Sequence, residues 1–404
     1  MRKDERKMLA ITYILCIALF GKLAILDTPL DKKAAIIGVS LCFVIGFSHF
    51  VIRHFYPDGD KFLLIFACIL SIIGIAMIYR IDVKEGISQV VWFVVGILIY
   101  IFTVVLLPDM NKLSKYKYIY MILTLIFMAL ASIFGKSVYG AKNWVYIGGY
   151  GFQPSEFGKV FLVLYLGASL KEYKHTHKIV GSIQQLIVPA IVTAISIVFL
   201  AYQKDLGSAL IFFGMAIAIL YVATSNIIYI ITCLGGFSAA SVLCYKLFAH
   251  VRKRVSICVN PWKDPTGDGY QIVQGLYSIS SGGMLGSGLG NGYPGFVSVP
   301  TSDYIFAVIC EEFGMVFGIG IMILYFLFFY RGIRVAFITN NKFSQIVAVG
   351  LSSMIALQAL VIIGGIFAII PLTGITLPFV SYGGSSMITT FFALGLLQKI
   401  SEEG

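Results

Sequence analysis

The chain has 404 residues, of which 59% are hydrophobic and 12% are charged, and its mean hydropathy is +0.92. Soluble domains contain about 45–50% apolar and about 25% charged residues, so this composition excludes an ordinary soluble fold and indicates a polytopic helical membrane protein. The formal net charge is +11. Because no separate basic domain carries this charge, we interpret it as a determinant of membrane topology rather than of nucleic-acid binding.

Twelve apolar runs of the sequence are predicted to be transmembrane helices, since a helix needs roughly 20 apolar residues to cross the hydrocarbon core. The first two runs are joined by a short turn and contain few polar residues. We therefore predict an accessory N-terminal transmembrane hairpin over residues 1–60 and a membrane core over residues 61–404. The predicted spans are 8–26, 34–52, 62–80, 88–107, 117–134, 157–170, 184–202, 206–223, 226–248, 303–330, 345–370 and 378–400.

The Lys and Arg residues between the spans predict the orientation of the chain. With both termini in the cytoplasm, the inner segments contain sixteen Lys and Arg residues and the short outer loops contain seven, which agrees with the positive-inside rule. The long loop 249–302 then faces outward. The other irregular, polar segments also fall on that side, so the sequence predicts one extracytoplasmic site. These segments are 135–156, 203–205 and 371–386.

The first candidate site residues stand at the openings of two predicted helices. Pro154 precedes Glu156, whose charge is favoured near a helix N-terminus by the helix dipole. Lys159 follows at i+3, which predicts an ion pair at the edge of the membrane that could shape a site. Asp205 begins a later helix and is either a simple N-cap or a site residue on the same side.

The long loop contains Asp264 between Pro261 and Pro265. The prolines restrict the backbone, and a pre-organised carboxylate is what a general base requires, although Asp-Pro also begins ordinary turns. Residues 269–280 have apolar side chains at helical spacing and predict a half-helix in the membrane interface. No strand precedes the glycine-rich run 282–292, which excludes a dinucleotide-binding or P-loop motif. That run could approach a lipid pyrophosphate or could simply be flexible.

Three acidic residues stand at the entrance of the predicted span 303–330. Asp303 and Glu311 are eight residues apart and are expected to share a helix face. Glu311 and Glu312 are costly inside an apolar run. They are expected either to pair with a basic residue such as Lys159 or Arg80, or to hold a divalent cation through their oxygens.

Six blocks of the sequence resemble, in order, the signature blocks of the shape, elongation, division and sporulation (SEDS) family, which comprises FtsW, RodA and SpoVE. The resemblance covers roughly residues 62–400 and implies a ten-helix core. With the N-terminal hairpin, the expected fold is an all-α polytopic membrane protein of about 12 transmembrane helices. The blocks are GAKNWVYIGGYGFQPSEFGK, QKDLGSAL, NPWKDPTGDGYQIVQ, SGGMLGSGLGNG, VPTSDYIFAVICEEFG and PLTGITLPFVSYGGSS.

The resemblance implies a peptidoglycan glycosyltransferase of the bacterial plasma membrane. Such an enzyme polymerises lipid II into undecaprenyl-pyrophosphate-linked glycan on the outer face and works with a class B penicillin-binding protein. A divalent cation, Mg²⁺ or Mn²⁺, is a candidate cofactor, and no organic cofactor is expected. Expected partners are the lipid substrates, that transpeptidase and membrane lipids, but not nucleic acid. The alternatives are a lipid II flippase, which would need polar groups through the whole bilayer, and a non-catalytic scaffold for the transpeptidase.

The matching blocks also imply roles for individual residues. Asp264 corresponds to the family's essential extracytoplasmic aspartate, and Glu311 and Glu312 are the metal candidates. Lys204 replaces the proline of one family block, and Lys142-Asn143 precedes Trp144 where the family usually has Arg-Trp, which leaves open which process the chain serves. The predicted substrate-binding residues are Lys142, Trp144, Glu156, Lys159, Asp205, Tyr270, Gln271, Asp303, Ser381 and Tyr382.

Overall fold

The computed structural model describes residues 2–26, 29–138, 141–174 and 179–403, and most of them are helical. Within these ranges there are fifteen α-helices and two short 3-10 turns, Pro261–Lys263 and Pro294–Phe296. The helices are α1 (Arg2–Leu26), α2 (Lys32–Phe55), α3 (Phe62–Ile81), α4 (Val83–Leu106), α5 (Met110–Leu113), α6 (Lys117–Phe134), α7 (Pro154–Leu170), α8 (Ile179–Tyr202), α9 (Leu206–Thr224), α10 (Ile227–Leu247), α11 (Ala249–Val259), α12 (Tyr270–Gly282), α13 (Ile305–Ile338), α14 (Lys342–Ile366) and α15 (Gly384–Glu403).

The predicted helical membrane fold is confirmed, since each of the twelve predicted spans corresponds to one helix. Among the described residues, ten helices are long and apolar enough to cross a membrane by length and composition. The predicted spans 157–170 and 378–400 correspond to α7 and α15, which are not among those ten. Helix α7 has only 17 residues, and the last turns of α15 are charged.

A small sheet interrupts the helical pattern where we expected an irregular loop. It has three antiparallel strands in chain order, and β2 and β3 form a tight hairpin in which Val145 is opposite Phe152. The strand pairing fixes the positions of the residues that precede α7 relative to one another. Its strands are β1 (Lys136–Val138), β2 (Ala141–Ile147) and β3 (Tyr150–Phe152).

The chain divides into two compact units. The first unit comprises Met1–Val105, Val255–Arg331 and Gln358–Gln398, and its centre is α3, in which nearly every side chain is buried. The second unit comprises Leu106–Arg254, Gly332–Leu357 and Lys399–Gly404. The hairpin α1–α2 belongs to the first unit. The predicted boundary between residues 60 and 61 is not tested by this division and stays a prediction.

The N-terminal hairpin is tied together at both ends. Asp31 accepts hydrogen bonds from the backbone N–H groups at the start of α2, which is N-cap geometry. At the other end, the buried Glu5 carboxylate lies 2.8 Å from His49 and 2.9 Å from Arg53. Between these ends, Gly38 lets the two helices approach closely, because a Cβ there would lie 2.7 Å from Cβ of Phe20.

Helix α13 is broken by one residue, Gly314, with φ +84° and ψ 167°. The break exposes backbone groups that a regular helix would pair internally, and an unpaired group costs several kcal/mol in a membrane. The glycine loop, which we define as residues 283–293, pairs with them. The N–H groups of Ser287 and Gly288 donate to the carbonyls of Glu311 and Glu312 at 3.0 and 2.9 Å.

The same pairing continues on the other side of the break. The N–H of Met315 donates to the carbonyl of Gly283 at 2.9 Å, and the N–H of Val316 donates to that of Met284 at 3.2 Å. The loop and the broken helix thus satisfy each other's backbone. A side chain at position 314 would collide with this arrangement, since its Cβ would overlap the carbonyl oxygen of Met284.

We expect Gly314→Ala to lower the free energy of unfolding by about 2–3 kcal/mol, because alanine is strained at this positive φ and displaces the glycine loop. The matched control is Gly320→Ala in the same helix, where a new Cβ meets nothing within 4 Å. That control should change the stability by less than about 1 kcal/mol. Unfolding of both variants in detergent tests this expectation, and equal stabilities would contradict it.

Candidate active site

Asp264 lies in a turn that holds its carboxylate in one orientation. The turn follows the 3-10 segment Pro261–Lys263, and the side chain is exposed. Its two oxygens accept hydrogen bonds from the backbone N–H groups of Gly267, at 3.1 Å, and Asp268, at 3.0 Å. Gly267 is needed for this close approach, because a Cβ there would overlap the carboxylate. An exposed carboxylate with a fixed orientation is suited to accept a proton from a bound substrate.

Helix α12 follows the turn directly, as the predicted half-helix, and begins with Tyr270 and Gln271. The Gln271 side chain is exposed, and the Tyr270 hydroxyl donates to the carbonyl of Phe296 at 3.4 Å. The helix packs closely against the residue that precedes α13. A Cβ at Gly275 would lie 2.5 Å from the Tyr304 ring. The structure therefore places Tyr270 and Gln271 at the start of a closely packed helix that follows the Asp264 turn.

An apolar recess of about 560 Å³ adjoins the Asp264 turn. Trp262 lines it and stands two residues before Asp264, with its ring edge-on to Tyr277 at a centroid distance of 5.4 Å. The recess is open, and aromatic, aliphatic and thioether side chains dominate its walls, so it suits an apolar chain better than a sugar. Its other lining residues include Leu276, Ile279, Met284 and Met315.

The structure brings three other predicted residues of the first unit together. The Ser302 hydroxyl donates to the Asp303 carboxylate at 2.6 Å, and the Ser381 hydroxyl donates to the Ser302 carbonyl at 2.7 Å. The backbone N–H of Tyr382 bonds to the carbonyl of Thr301 at 2.9 Å.

The expectation that Asp303 shares a helix face with Glu311 is wrong. Helix α13 begins only at Ile305, and Asp303 lies in the turn before it. The preceding segment ends in a turn with Pro300 and several polar residues, which favours local hydrogen bonds over continued helix. Asp303 thus belongs to the cluster with Ser381 rather than to the helix.

The paired acids Glu311 and Glu312 hold the glycine loop. Glu311 accepts from the Ser278 hydroxyl at 2.6 Å and from the N–H of Tyr293 at 2.9 Å. Glu312 accepts from the N–H of Gly290 at 3.0 Å, and its other oxygen lies 3.6 Å from Nε of Arg80. The predicted pairing of this acid pair with Arg80 is confirmed.

Protein donors contact three of the four carboxylate oxygens of Glu311 and Glu312, whereas Oε1 of Glu312 is buried without a hydrogen bond and lies 3.6 Å from Nε of Arg80. No group of three or more His, Cys, Asp or Glu side chains suited to a metal occurs among the described residues. The cation predicted from the sequence therefore stays a prediction, and we assign no chemical step to it.

In the second unit, Asp205 is a buried centre of hydrogen bonds. One oxygen accepts from the N–H of Ser208 at 3.1 Å, which confirms the N-cap interpretation. The other accepts from the Ser208 hydroxyl at 2.9 Å and from the side-chain amides of Asn143 and Gln153 at 3.1 and 3.0 Å. Asp205 thereby joins the start of α9 to the sheet. Sequence reasoning missed both amides, and the available signal was their position in the same block as Trp144.

Glu156 and Lys159 form the predicted ion pair at i+3. The ammonium lies 2.8 Å from the carboxylate, and the side chains are only 6% and 3% exposed. Glu156 therefore supplies a counter-charge for Lys159. At this burial each charge depends on the other.

The remaining two predicted residues of this unit lie on β2. The Lys142 side chain is exposed and its ammonium donates to the carbonyl of Ser132 at 3.1 Å. Trp144 is partly buried and pairs across the sheet with Lys136. The predicted residues thus divide between the two units, with several separate clusters in each.

Comparison with known proteins identifies close similarity along most of the chain. The family model FTSW_RODA_SPOVE, described as "Cell cycle protein", matches residues 60–404. The chain is 34% identical over 386 residues to peptidoglycan glycosyltransferase RodA of Mycobacterium tuberculosis, covering 90% of this chain and 82% of that protein. It is 38% identical over 270 residues to stage V sporulation protein E of Bacillus subtilis, covering 65% of this chain and 72% of that protein.

A solved structure is similar in fold and sequence. It is a chain of a peptidoglycan synthase complex in which polymerisation and crosslinking are coordinated. The TM-score is 0.71 at 25% identity, and the match covers 85% of this chain and 97% of that chain.

We expect Lys159→Met to lower the free energy of unfolding by about 3–5 kcal/mol, because Glu156 would be left buried without its counter-charge. The double variant Glu156→Gln, Lys159→Met should recover most of that loss. Lys115→Met, at an exposed lysine of the same unit, is the control and should unfold like the wild type. Thermal unfolding in detergent measures all three. A double variant as unstable as the single one would contradict the assignment of a paired charge.

Proposed function

The chain belongs to the FtsW, RodA and SpoVE family, and from this premise we propose that the Asp264 turn is the catalytic centre of its peptidoglycan glycosyltransferase activity. The protein is a multi-pass membrane enzyme of peptidoglycan synthesis. The observation that carries the proposal is the Asp264 carboxylate, exposed and oriented by two backbone donors.

In the proposed reaction, lipid II is polymerised. Asp264 accepts the proton of the 4-hydroxyl of the acceptor sugar, and that oxygen attacks C1 of the lipid-linked donor glycan. The new glycosidic bond forms as the bond from C1 to the pyrophosphate breaks, and undecaprenyl pyrophosphate leaves with the electron pair. A single base suffices for this inverting displacement, and no covalent intermediate is needed.

The recess beside the turn supports a lipid-linked substrate. Its apolar walls suit an isoprenoid chain, and Trp262 connects it directly to the catalytic turn. A substrate with its lipid in this recess would present its polar end towards Asp264. The glycosyl acceptor would then meet a carboxylate whose orientation is already fixed.

We place the Asp264 turn on the extracytoplasmic face of the bacterial plasma membrane, with both termini in the cytoplasm. The support is the distribution of Lys and Arg, which are concentrated in the segments assigned to the inner side. The segments that carry the predicted site residues then share the outer side, where peptidoglycan is assembled.

We propose a class B penicillin-binding protein as partner. The support is the similarity to a chain of a synthase complex that coordinates polymerisation and crosslinking, at 25% identity and over 97% of that chain. A polymerase whose product must be crosslinked has a chemical reason to work beside a transpeptidase. Dependence on Mg²⁺ or Mn²⁺ remains a separate proposal, and chelation during the assay below tests it.

We expect Asp264→Asn and Asp264→Ala to reduce polymerisation by at least about 100-fold, because general-base catalysis contributes roughly 10²–10⁴-fold. Purified protein with fluorescent lipid II, with and without the transpeptidase, measures glycan chains. Asp268→Asn is the matched control, since it makes the same change four residues away and keeps the backbone N–H that bonds to Asp264. Normal insertion and unfolding temperature of each variant would exclude misfolding.

Full activity of Asp264→Asn would contradict the assignment of the base. Absence of glycan from the wild type in every condition would contradict the polymerase itself. Movement of labelled lipid II across proteoliposomes would then favour the flippase, and unchanged transpeptidase recruitment without either activity would favour the scaffold.

A further inference from the structure

The N-terminal hairpin makes direct contact with the glycine loop. The family match begins at residue 60, so α1 and α2 lie outside it. Yet Leu26, the last residue of α1, packs against Gly290 in the middle of the loop. A segment outside the matched residues therefore touches an element joined to the candidate site.

Gly290 is restrained on three sides. Its N–H donates to Glu312 at 3.0 Å, and its carbonyl accepts from Arg80 at 2.8 Å. The Leu26 side chain covers its Cα, since a Cβ at this glycine would overlap Leu26. Gly290 also has φ +95°, which other residues rarely adopt. The loop is thus fixed by a carboxylate, a guanidinium and one leucine of the hairpin.

A second link runs through the end of α3. The Tyr79 hydroxyl donates to the Asp31 carboxylate at 2.5 Å, and Arg80, the next residue, is the one that binds Gly290. The N–H of Asp31 donates to the carbonyl of Ala24 at 2.9 Å, which joins the two ends of the hairpin turn. Movement of the hairpin turn would therefore displace the glycine loop in two ways, through the contact of Leu26 with Gly290 and through Arg80.

The loop also forms part of the recess beside Asp264. Gly283 and Met284 line the recess from the loop, and Met315 lines it from the broken helix. The hydrogen bonds from Met315 to Gly283 and from Val316 to Met284 fix these walls together. A displacement of the loop would change the shape of the recess, whereas the Asp264 turn keeps its own backbone donors.

We propose that the N-terminal hairpin positions the glycine loop, with Leu26 and Tyr79 as positioning residues, and so sets the shape of the recess that takes the lipid part of the substrate. This proposal rests on the proposed function. Its signature is a change in the KM for lipid II with little change in kcat. A loss of folded protein would instead lower kcat and leave KM unchanged.

The test uses the full-length protein in detergent and compares four variants. Leu26→Ala removes the contact with Gly290, and Tyr79→Phe removes only the hydroxyl that binds Asp31. Leu26→Met conserves volume and is the rescue variant. Ile25→Ala is the matched control, because the adjacent Ile25 side chain is 67% exposed. Hydrogen exchange of peptides from residues 283–293 is measured first, followed by KM and kcat for lipid II.

We expect Leu26→Ala and Tyr79→Phe to accelerate exchange in the glycine loop about five- to tenfold and to raise KM by a similar factor. Leu26→Met and Ile25→Ala should match the wild type. The proposal is overturned if neither of the first two variants changes loop exchange, or if exchange rises equally throughout the chain. An inactive wild type would contradict the proposed function, and loop exchange would still decide whether the hairpin holds the loop.

Discussion

The backbone pairing between the glycine loop and the broken helix α13 is the constraint on which the first unit depends. A chain in an apolar environment must satisfy its N–H and carbonyl groups internally. The break at Gly314 would leave such groups unpaired, and the loop supplies their partners in register. Because this pairing removes the cost of irregular backbone, the exposed Asp264 turn, a half-helix and an apolar recess can exist beside a membrane-spanning helix.

Carboxylates take different roles here according to their partners. Asp264 is exposed and accepts from neighbouring N–H groups of its own turn, so its carboxylate is accessible to solvent. Asp205 is buried and accepts from two side-chain amides, and it thereby connects the start of α9 to the sheet segment. Glu312 holds a loop with the help of Arg80. The sequence does not distinguish these acids by role, and only the structure separates the exposed carboxylate from those that hold other elements together.

Local patterns predicted the features that depend on local physics. Hydropathy located the helices, the i+3 spacing predicted the pair of Glu156 and Lys159, and the cost of buried acids indicated a partner such as Arg80. The amides that bind Asp205 escaped prediction because Asn143 and Gln153 lie 62 and 52 positions before it in the chain. The small sheet escaped prediction although its strand pairs are local, because its segment was interpreted as an irregular loop. The start of α13 was also predicted too early, at residue 303, whereas the helix begins at Ile305. Apolar content does not reveal where side-chain hydrogen bonds replace the first helical turns.

The contact between Leu26 and Gly290 has an evolutionary consequence. Position 290 is under two independent restrictions, one from its own backbone angle and one from a side chain contributed by the hairpin. Only the first restriction would persist in a lineage without the hairpin. Descendants of this chain should therefore inherit the end of α1 and the loop residues that face it as one unit of selection, although about 260 positions separate them in the chain.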